Sequence, residues 1–445
     1  MSETARLTRG SIRGHLVTQT LPMVVASAAL MSVGLIDAYF VGQLGSDELA
    51  AMSFIFPVTI ALASLGVGVM VGVNSVVARA VGAGDMEQAG RQSNVGALFA
   101  LGLGVAMGAA LWLLTDPLFR LLQAPANLMP LIEAYMGPFA LGMPVLLLQM
   151  GLNGVLRAQG EAKRTSAVAV TYAAANWVLD PLLITGGMGI PALGIAGAAW
   201  ATTLGYLFAV VLAMWLVQGT DLPVNPMLAR KARVGKSLRE IAVVAAPASF
   251  SNAINPIGLS VLTALLASQG QDAVAGYGAA GRLQSFATVP LLALSASIGA
   301  IVGQNWGAAQ EDRARRAFFE AGVFCVGYGL VLAVVLFAAG EWFAGFFTED
   351  RAVVTEFARY MRIAAWGYAG FGLLIVANGA LNAIGKANWS LGQSCARVFL
   401  VMLPVAWVLR PVWGSAAIYT AELAANAIGG ALAAFIAWRM LGRRA

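Results

Sequence analysis

The chain has 445 residues, 59% of them hydrophobic and only 11% charged, against roughly 25% charged in a soluble globular chain, so a soluble protein and a disordered one are excluded. Its 51 Gly and 16 Pro follow no three-residue period, which removes collagen-like fibres. Lys and Arg exceed Asp and Glu by 27 to 21, and in so apolar a chain that excess reads as an orientation signal in the bilayer rather than as a nucleic-acid surface.

The composition points to an all-α polytopic membrane protein. Residues 1–14 are polar and carry Arg6, Arg9 and Arg13. The apolar run behind them is too long for a signal-peptide core, so this segment is expected to be a cytoplasmic lead into the first span. A crossing needs about 20 apolar residues. Twelve such stretches follow, at 16–41, 49–78, 92–114, 130–156, 165–185, 193–217, 240–268, 276–303, 317–339, 356–384, 389–410 and 415–438. With the N-terminus inside, 20 of the Lys and Arg residues fall on the cytoplasmic side and five outside, while Arg282 and Arg397 lie within spans. That asymmetry predicts both termini in the cytoplasm and an even number of crossings.

The longest polar connection contains Asp221, Arg230, Lys231, Arg233 and Lys236 and lies near mid-chain. It divides the expected organisation into an N-lobe at 1–217, a cytoplasmic linker at 218–239 and a C-lobe at 240–445. One constant offset along the chain aligns Pro22 with Pro247, Gly82-Ala83 with Gly307-Ala308, and Arg91 with Arg316. It also aligns Asn153-Gly154-x-Leu156-x-Ala158-x-Gly160 with Asn378-Gly379-x-Leu381-x-Ala383-x-Gly385. Internal duplication of this kind predicts two six-helix bundles related by a pseudo-twofold axis along the membrane normal, around a central cavity.

A charge inside a span costs about 2.5–3.5 kcal/mol on insertion scales and needs a reason. Six such residues occur: Asp37, Asp180, Arg282, Glu320, Arg397 and Glu422. The two glutamates lie within about two turns of span ends, where they can snorkel or cap, and the long arginine stems can reach an interface or a carbonyl. The short side chains of Asp37 and Asp180 cannot reach far, and both lie four or five residues from the outer ends of the first and fifth spans. Asn176 shares a helix face with Asp180, and Pro181 deprives the Trp177 carbonyl of its helical partner. Two carboxylates in a low-dielectric pocket cannot both remain cheaply ionised, which predicts a protonation switch. The same hard oxygen ligands also suit Na⁺. At the offset positions stand Leu262, Val401 and Val405, so only the first half carries these groups.

The segment Gly34-Leu35-Ile36-Asp37-Ala38-Tyr39-Phe40-Val41-Gly42-x-Leu44-Gly45, the set Asn176-x-x-x-Asp180-Pro181, and Val302-Gly303-Gln304-Asn305-x-Gly307-Ala308 resemble the multidrug and toxic compound extrusion (MATE) family. The likeness spans both halves and is strongest to the DinF-like branch, whose acids lie in the N-lobe. The NorM-like branch has further acids in the seventh and tenth spans. Here those positions read Ala248-Ser249-Phe250-Ser251-Asn252 and Gly370-Phe371-Gly372-Leu373. The resemblance implies a monomeric antiporter in the bacterial inner (plasma) membrane. It would export organic cations or amphiphiles in exchange for protons, or alternatively Na⁺, with no enzymatic activity, no cofactor and no nucleic-acid partner. It also implies a hinge at Pro22 and supporting roles for Tyr135, Asn153 and Thr202, with Thr203 as the alternative to Thr202.

Rival signals are weaker. Gly66-x-Gly68 and Gly102-x-Gly104 read as close helix packing. Gly235-Lys236-Ser237 lacks the leading glycine of a phosphate loop. His15, the one histidine, has no Ser or Cys constellation to make an intramembrane enzyme. Cys325 and Cys395 lie in apolar runs, without disulfide or metal spacing. A lipid-linked precursor flippase of the same superfamily is the other transport reading, but it would call for a basic cavity where this chain has acids.

Overall fold

The computed structural model describes residues 5–225 and 234–442; the linker positions 230, 231 and 233 and the basic pair at 443 and 444 lie outside them. The described residues form helices and one isolated bridge between Gly187 and Ile190. The first half contains α1 (Ile12–Gly42), α2 (Ser46–Ala83), α3 (Met86–Leu121), α4 (Met129–Ala158), α5 (Ala162–Ile184) and α6 (Ile195–Gln218). The second contains α7 (Val234–Ala267), α8 (Gln271–Ala287), α9 (Val289–Gly307), α10 (Glu311–Ala344), α11 (Arg351–Ala364), α12 (Tyr368–Ala383), α13 (Ala387–Cys395), α14 (Leu403–Trp413) and α15 (Ser415–Met440). Together they provide twelve segments long and apolar enough to cross a bilayer.

Local chemistry sets the boundaries. Gly84 ends α2 in the left-handed region at φ 77°. Asp85 caps α3, its Oδ1 accepting from the Gln88 amide at 2.8 Å. A glycine stop followed by a carboxylate cap satisfies the orphan backbone groups of both ends. The expected eighth span at 276–303 is two helices, α8 and α9, meeting at Thr288. Pro290 has no amide hydrogen to continue the ladder there. The tenth segment, Arg351–Ala383, is interrupted by a 3₁₀ turn at Ala365–Gly367, and the eleventh, Ala387–Trp413, by a π-helical stretch at Ala396–Met402.

The fold divides into two compact units. The first runs from Leu21 to Ser249 and also takes the short stretch ending at Arg6; the second takes Leu7–Thr20 and the chain from Phe250 onward. α1 therefore changes unit beside Pro22, and α7 does so beside Pro247. The first unit has a core of Val69, Val73, Val77, Leu152, Val155 and Leu156. In the second, α12 and α15 cross so closely that a Cβ on Gly370 would collide with the Asn426 carbonyl oxygen and one on Gly430 with that of Gly370. Small residues permit this approach where apolar lipid gives helices no reason to associate by hydrophobicity alone.

The N-terminal lead is more integrated than its polarity suggests. Leu7 and Ile12 are buried in the core of the second unit. The Leu7 amide donates to Gln304 Oε1 at 3.2 Å, and Asn305 Nδ2 donates to the Leu7 carbonyl at 3.1 Å. The Gln304-Asn305 pair thus clamps an incoming segment of backbone at the end of α9.

Candidate functional site

Within the first unit, the two short acids lie at similar distances from the ends of α1 and α5. Asp37 lies five residues before the end of α1, and Asp180 four before the end of α5. The Trp177 indole Nε1 donates to Ser32 Oγ at 3.1 Å, joining α5 to α1 about one turn inward of the acids and holding the helices in register. Asp180 and Asn176 are both fully buried. With its amide nitrogen turned toward the acid, Asn176 donates to Asp180 Oδ2 at 2.6 Å and to Oδ1 at 3.2 Å. Asp37 is half-buried, and its Oδ1 is a buried acceptor without a hydrogen-bond partner.

The two carboxylates are close enough to interact electrostatically, and Tyr135 of α4 lies within reach of both. Tyr135 is buried and stacks on Phe139 at 6.0 Å between ring centroids. Tyr172, one turn before Asn176 on the same face of α5, also lies within reach of Asp37 and stacks on Tyr206 of α6 at 4.3 Å. Tyr172 and Tyr206 were not singled out from the sequence, although the four-residue spacing of Tyr172, Asn176 and Asp180 was a usable signal. Among the described residues neither acid has a cationic partner within ion-pair distance. A carboxylate pair with one amide donor, no counter-ion and an orphan oxygen has room for a proton or a small cation.

The supporting residues separate. Thr202 shares a helix face with Tyr206, one turn away, whereas Thr203 turns its hydroxyl onto the Pro138 carbonyl at 3.1 Å and ties α6 to α4. Asn153 is on the same helix as Tyr135 but 18 residues along it, roughly 27 Å at 1.5 Å per residue, so it stands apart from the acids; its buried Oδ1 has no partner. Pro22 lies within a continuous α1. Pro181 follows Asp180 inside α5.

The second unit contains a polar cluster that was not anticipated. Glu422 neither snorkels nor caps: it is 1% exposed. Its Oε1 accepts from Gln284 Nε2 at 3.0 Å, and Tyr360's hydroxyl lies 3.0 Å from its Oε2 and 2.6 Å from Gln284 Oε1. Arg397, on the π-helical stretch, donates through Nε and Nη2 to Asn426 Oδ1 at 3.1 and 2.6 Å, and through Nη1 to Asn255 Oδ1 at 2.8 Å. It also feels the charge of Glu422. Arg282 is exposed on α8, and Glu320 pairs with Arg316 at 2.9 Å and Arg13 at 3.6 Å.

Comparison with known proteins agrees with this architecture. The MatE family model matches residues 22–182 and 247–408, two stretches that begin at the aligned prolines, Pro22 and Pro247, of the internal repeat. The chain is 33% identical over 395 residues to a protein of Shewanella oneidensis named FAD transporter, covering 88% of this chain and 86% of that one. It is 25% identical to the multidrug export protein MepA of Staphylococcus aureus, covering 95% and 93%. Among solved structures, the Vibrio cholerae MATE transporter VcmN in its bent form superposes with a TM-score of 0.90 at 27% identity, over 99% of this chain and 98% of that one. With a family match in both halves and twelve spans, the chain belongs to the MatE family and is a multi-pass plasma-membrane transporter of the multidrug-efflux type, not an enzyme.

Proposed function

We propose that the protein is a proton-driven antiporter of the DinF-like branch that exports organic cations or amphiphiles, with Asp37 and Asp180 as the coupling pair. The reading rests on one observation: a half-buried carboxylate with an unpartnered oxygen stands within electrostatic reach of a fully buried one whose hydrogen bonds come from a single amide. Ionised, the pair attracts a cation or a proton; protonated, it is neutral and releases a cationic drug. Loading and emptying the pair as the transporter alternates between its two faces couples the two fluxes. Asn176 steadies Asp180, Tyr135 and Tyr172 wall the pair, and Pro22 gives α1 a point of bending where the helix already lacks one hydrogen bond. The positive-inside bias supports both termini in the cytoplasm, and Asp37 and Asp180 belong to one copy of the chain.

The test is efflux of a cationic dye from vesicles under an imposed pH gradient, repeated under a sodium gradient. The expected result is transport driven by ΔpH and abolished in Asp37→Asn and Asp180→Asn proteins that still insert. Efflux that follows Na⁺ alone would replace the proton with sodium at the same oxygens, and robust efflux in both variants would remove the pair from the mechanism.

A second substrate reading has a specific basis, because the relative at 33% identity over most of both chains carries the name FAD transporter. A flavin dinucleotide is anionic and amphipathic, unlike the cationic dyes. Counterflow with FAD and with ethidium in the same vesicles separates the two: exchange of FAD but not of ethidium assigns the chain to flavin export.

A further inference from the structure

The second unit presents an apolar groove that transport does not explain. α12 packs against both α10 and α15, which barely touch each other, and a cleft of about 640 Å³ opens between these two walls with Leu373 of α12 among its lining residues. Phe319, Val323 and Gly327 of α10 face Phe435 and Trp438 of α15, and the lining is wholly apolar. Gly327 leaves open space where a side chain would otherwise fill the cleft. Phe319 and Trp438 approach to 6.2 Å across one end.

That same end carries two cations. Arg315 lies over the Trp438 ring at 4.2 Å, and Arg439 over Phe435 at 5.1 Å. Their neighbour Arg316 is neutralised by Glu320 at 2.9 Å. Among the described residues neither Arg315 nor Arg439 has an ion pair, and the buried Nε of Arg315 has no hydrogen-bond partner. Stacking on aromatic faces fixes a guanidinium in place without satisfying its N–H groups, which remain available to the oxygens of a phosphate.

We propose that this groove binds an anionic phospholipid, with an acyl chain between α10 and α15 and its phosphate held by Arg315 and Arg439. An apolar cleft ending in two uncompensated arginines complements a molecule with a hydrocarbon tail and a negative head, and the positive-inside orientation proposed above places those arginines at the cytoplasmic leaflet, where anionic lipids concentrate. Phosphatidylcholine offers the same tail with a head of no net charge, and free phosphate offers the head alone.

The experiment uses the full-length protein, purified in detergent and titrated with phosphatidylglycerol, phosphatidylcholine or inorganic phosphate, with bound lipid counted by native mass spectrometry. The expected result is at least about tenfold tighter retention of phosphatidylglycerol than of phosphatidylcholine, as two basic residues near an anionic head supply. That preference is lost in the Arg315→Gln/Arg439→Gln double variant, and both lipids are lost in Gly327→Phe, which fills the cleft. Equal retention of the two lipids, an undiminished preference in the double variant, or inorganic phosphate that matches the lipid in competition would each overturn the proposal. Dye efflux by the same variants is a separate readout, so failure here leaves the coupling pair standing.

Discussion

The two halves of the duplicated chain treat buried acids in opposite ways. Tyr135 and Tyr360 occupy the same repeat position, under the offset that aligns Pro22 with Pro247, yet their surroundings diverge. Beside Tyr135, Asp37 has an orphan oxygen and Asp180 depends on one amide. Beside Tyr360, Glu422 accepts from Gln284, shares the Tyr360 hydroxyl with the Gln284 Oε1, and has Arg397 within electrostatic reach. A carboxylate with its partners complete is held in one state, because changing its charge breaks a buried network. A carboxylate left incomplete can change state at little structural cost. One scaffold, used twice, thus surrounds its buried acid with partners in one unit and leaves an acid oxygen without one in the other.

The sharpest way to break this contrast is to neutralise both sites and compare. Asp37→Asn and Asp180→Asn should bring ΔpH-driven dye efflux down to the level of empty vesicles with insertion intact, whereas Glu422→Gln should leave efflux within about twofold of wild type. Drug-induced proton release from the solubilised protein should vanish in the first two and persist in the third. Equal loss in all three would make the second cluster part of the coupling machinery. Stability should rank the other way. Glu422→Leu removes the acceptor of the buried Gln284 amide and Tyr360 hydroxyl and should cost about 1–3 kcal/mol for the donors left unpaired, read as a drop in the thermal midpoint of the detergent-solubilised protein, while Asp37→Asn should leave that midpoint nearly unchanged.

A smaller effect is expected from Asn176→Ala. It removes the donor to Asp180, a hydrogen bond to a charged group worth about 1.5–3 kcal/mol, so efflux should fall by roughly ten- to a hundredfold without disappearing. Asn176→Asp, which places a third acid against the pair, should be worse than Asn176→Ala. If the alanine variant transports normally, Asp180 does not need the amide and the contrast with Glu422 weakens.

Hydropathy made the twelve spans legible, because apolar length is a local property of the chain. The depth of Asp37 and Asp180 followed from counting residues to the span ends, and the face shared by Asn176 and Asp180 from helical periodicity. The Glu422 cluster was not legible, since Gln284, Tyr360, Arg397 and Glu422 come from four separate elements and meet only through packing. Glu422 and Arg397, taken one at a time, read as groups that reach a span end or an interface, and Gln284 and Tyr360 carry no signal of their own. The break between α8 and α9 was hidden for a related reason: Pro290 was visible, but an apolar run around a proline reads equally as one kinked span or as two helices. The burial of Leu7 escaped because the charges around it dominate the polarity of a short segment, while the clamp at Gln304 and Asn305 lies in the other half of the chain.

The smallest expected effect tests whether register, rather than the acids alone, makes the first site. The Trp177–Ser32 hydrogen bond joins α5 to α1 just inward of the carboxylates, and no such tie is needed to bury either acid. Trp177→Phe keeps an aromatic ring at the site but removes the N–H, a loss of about 0.5–1.5 kcal/mol for a neutral hydrogen bond. If the bond only adds stability, the thermal midpoint should drop slightly and efflux stay at the wild-type rate. If it keeps Asp37 and Asp180 level with each other, efflux should fall several-fold with the midpoint barely moved, because carboxylates displaced along the helix axes feel each other's charge less. Ser32→Ala removes the acceptor from the other side and should reproduce the same result. A Trp177→Phe effect that Ser32→Ala fails to reproduce would assign the tryptophan a role other than setting the register of the two helices.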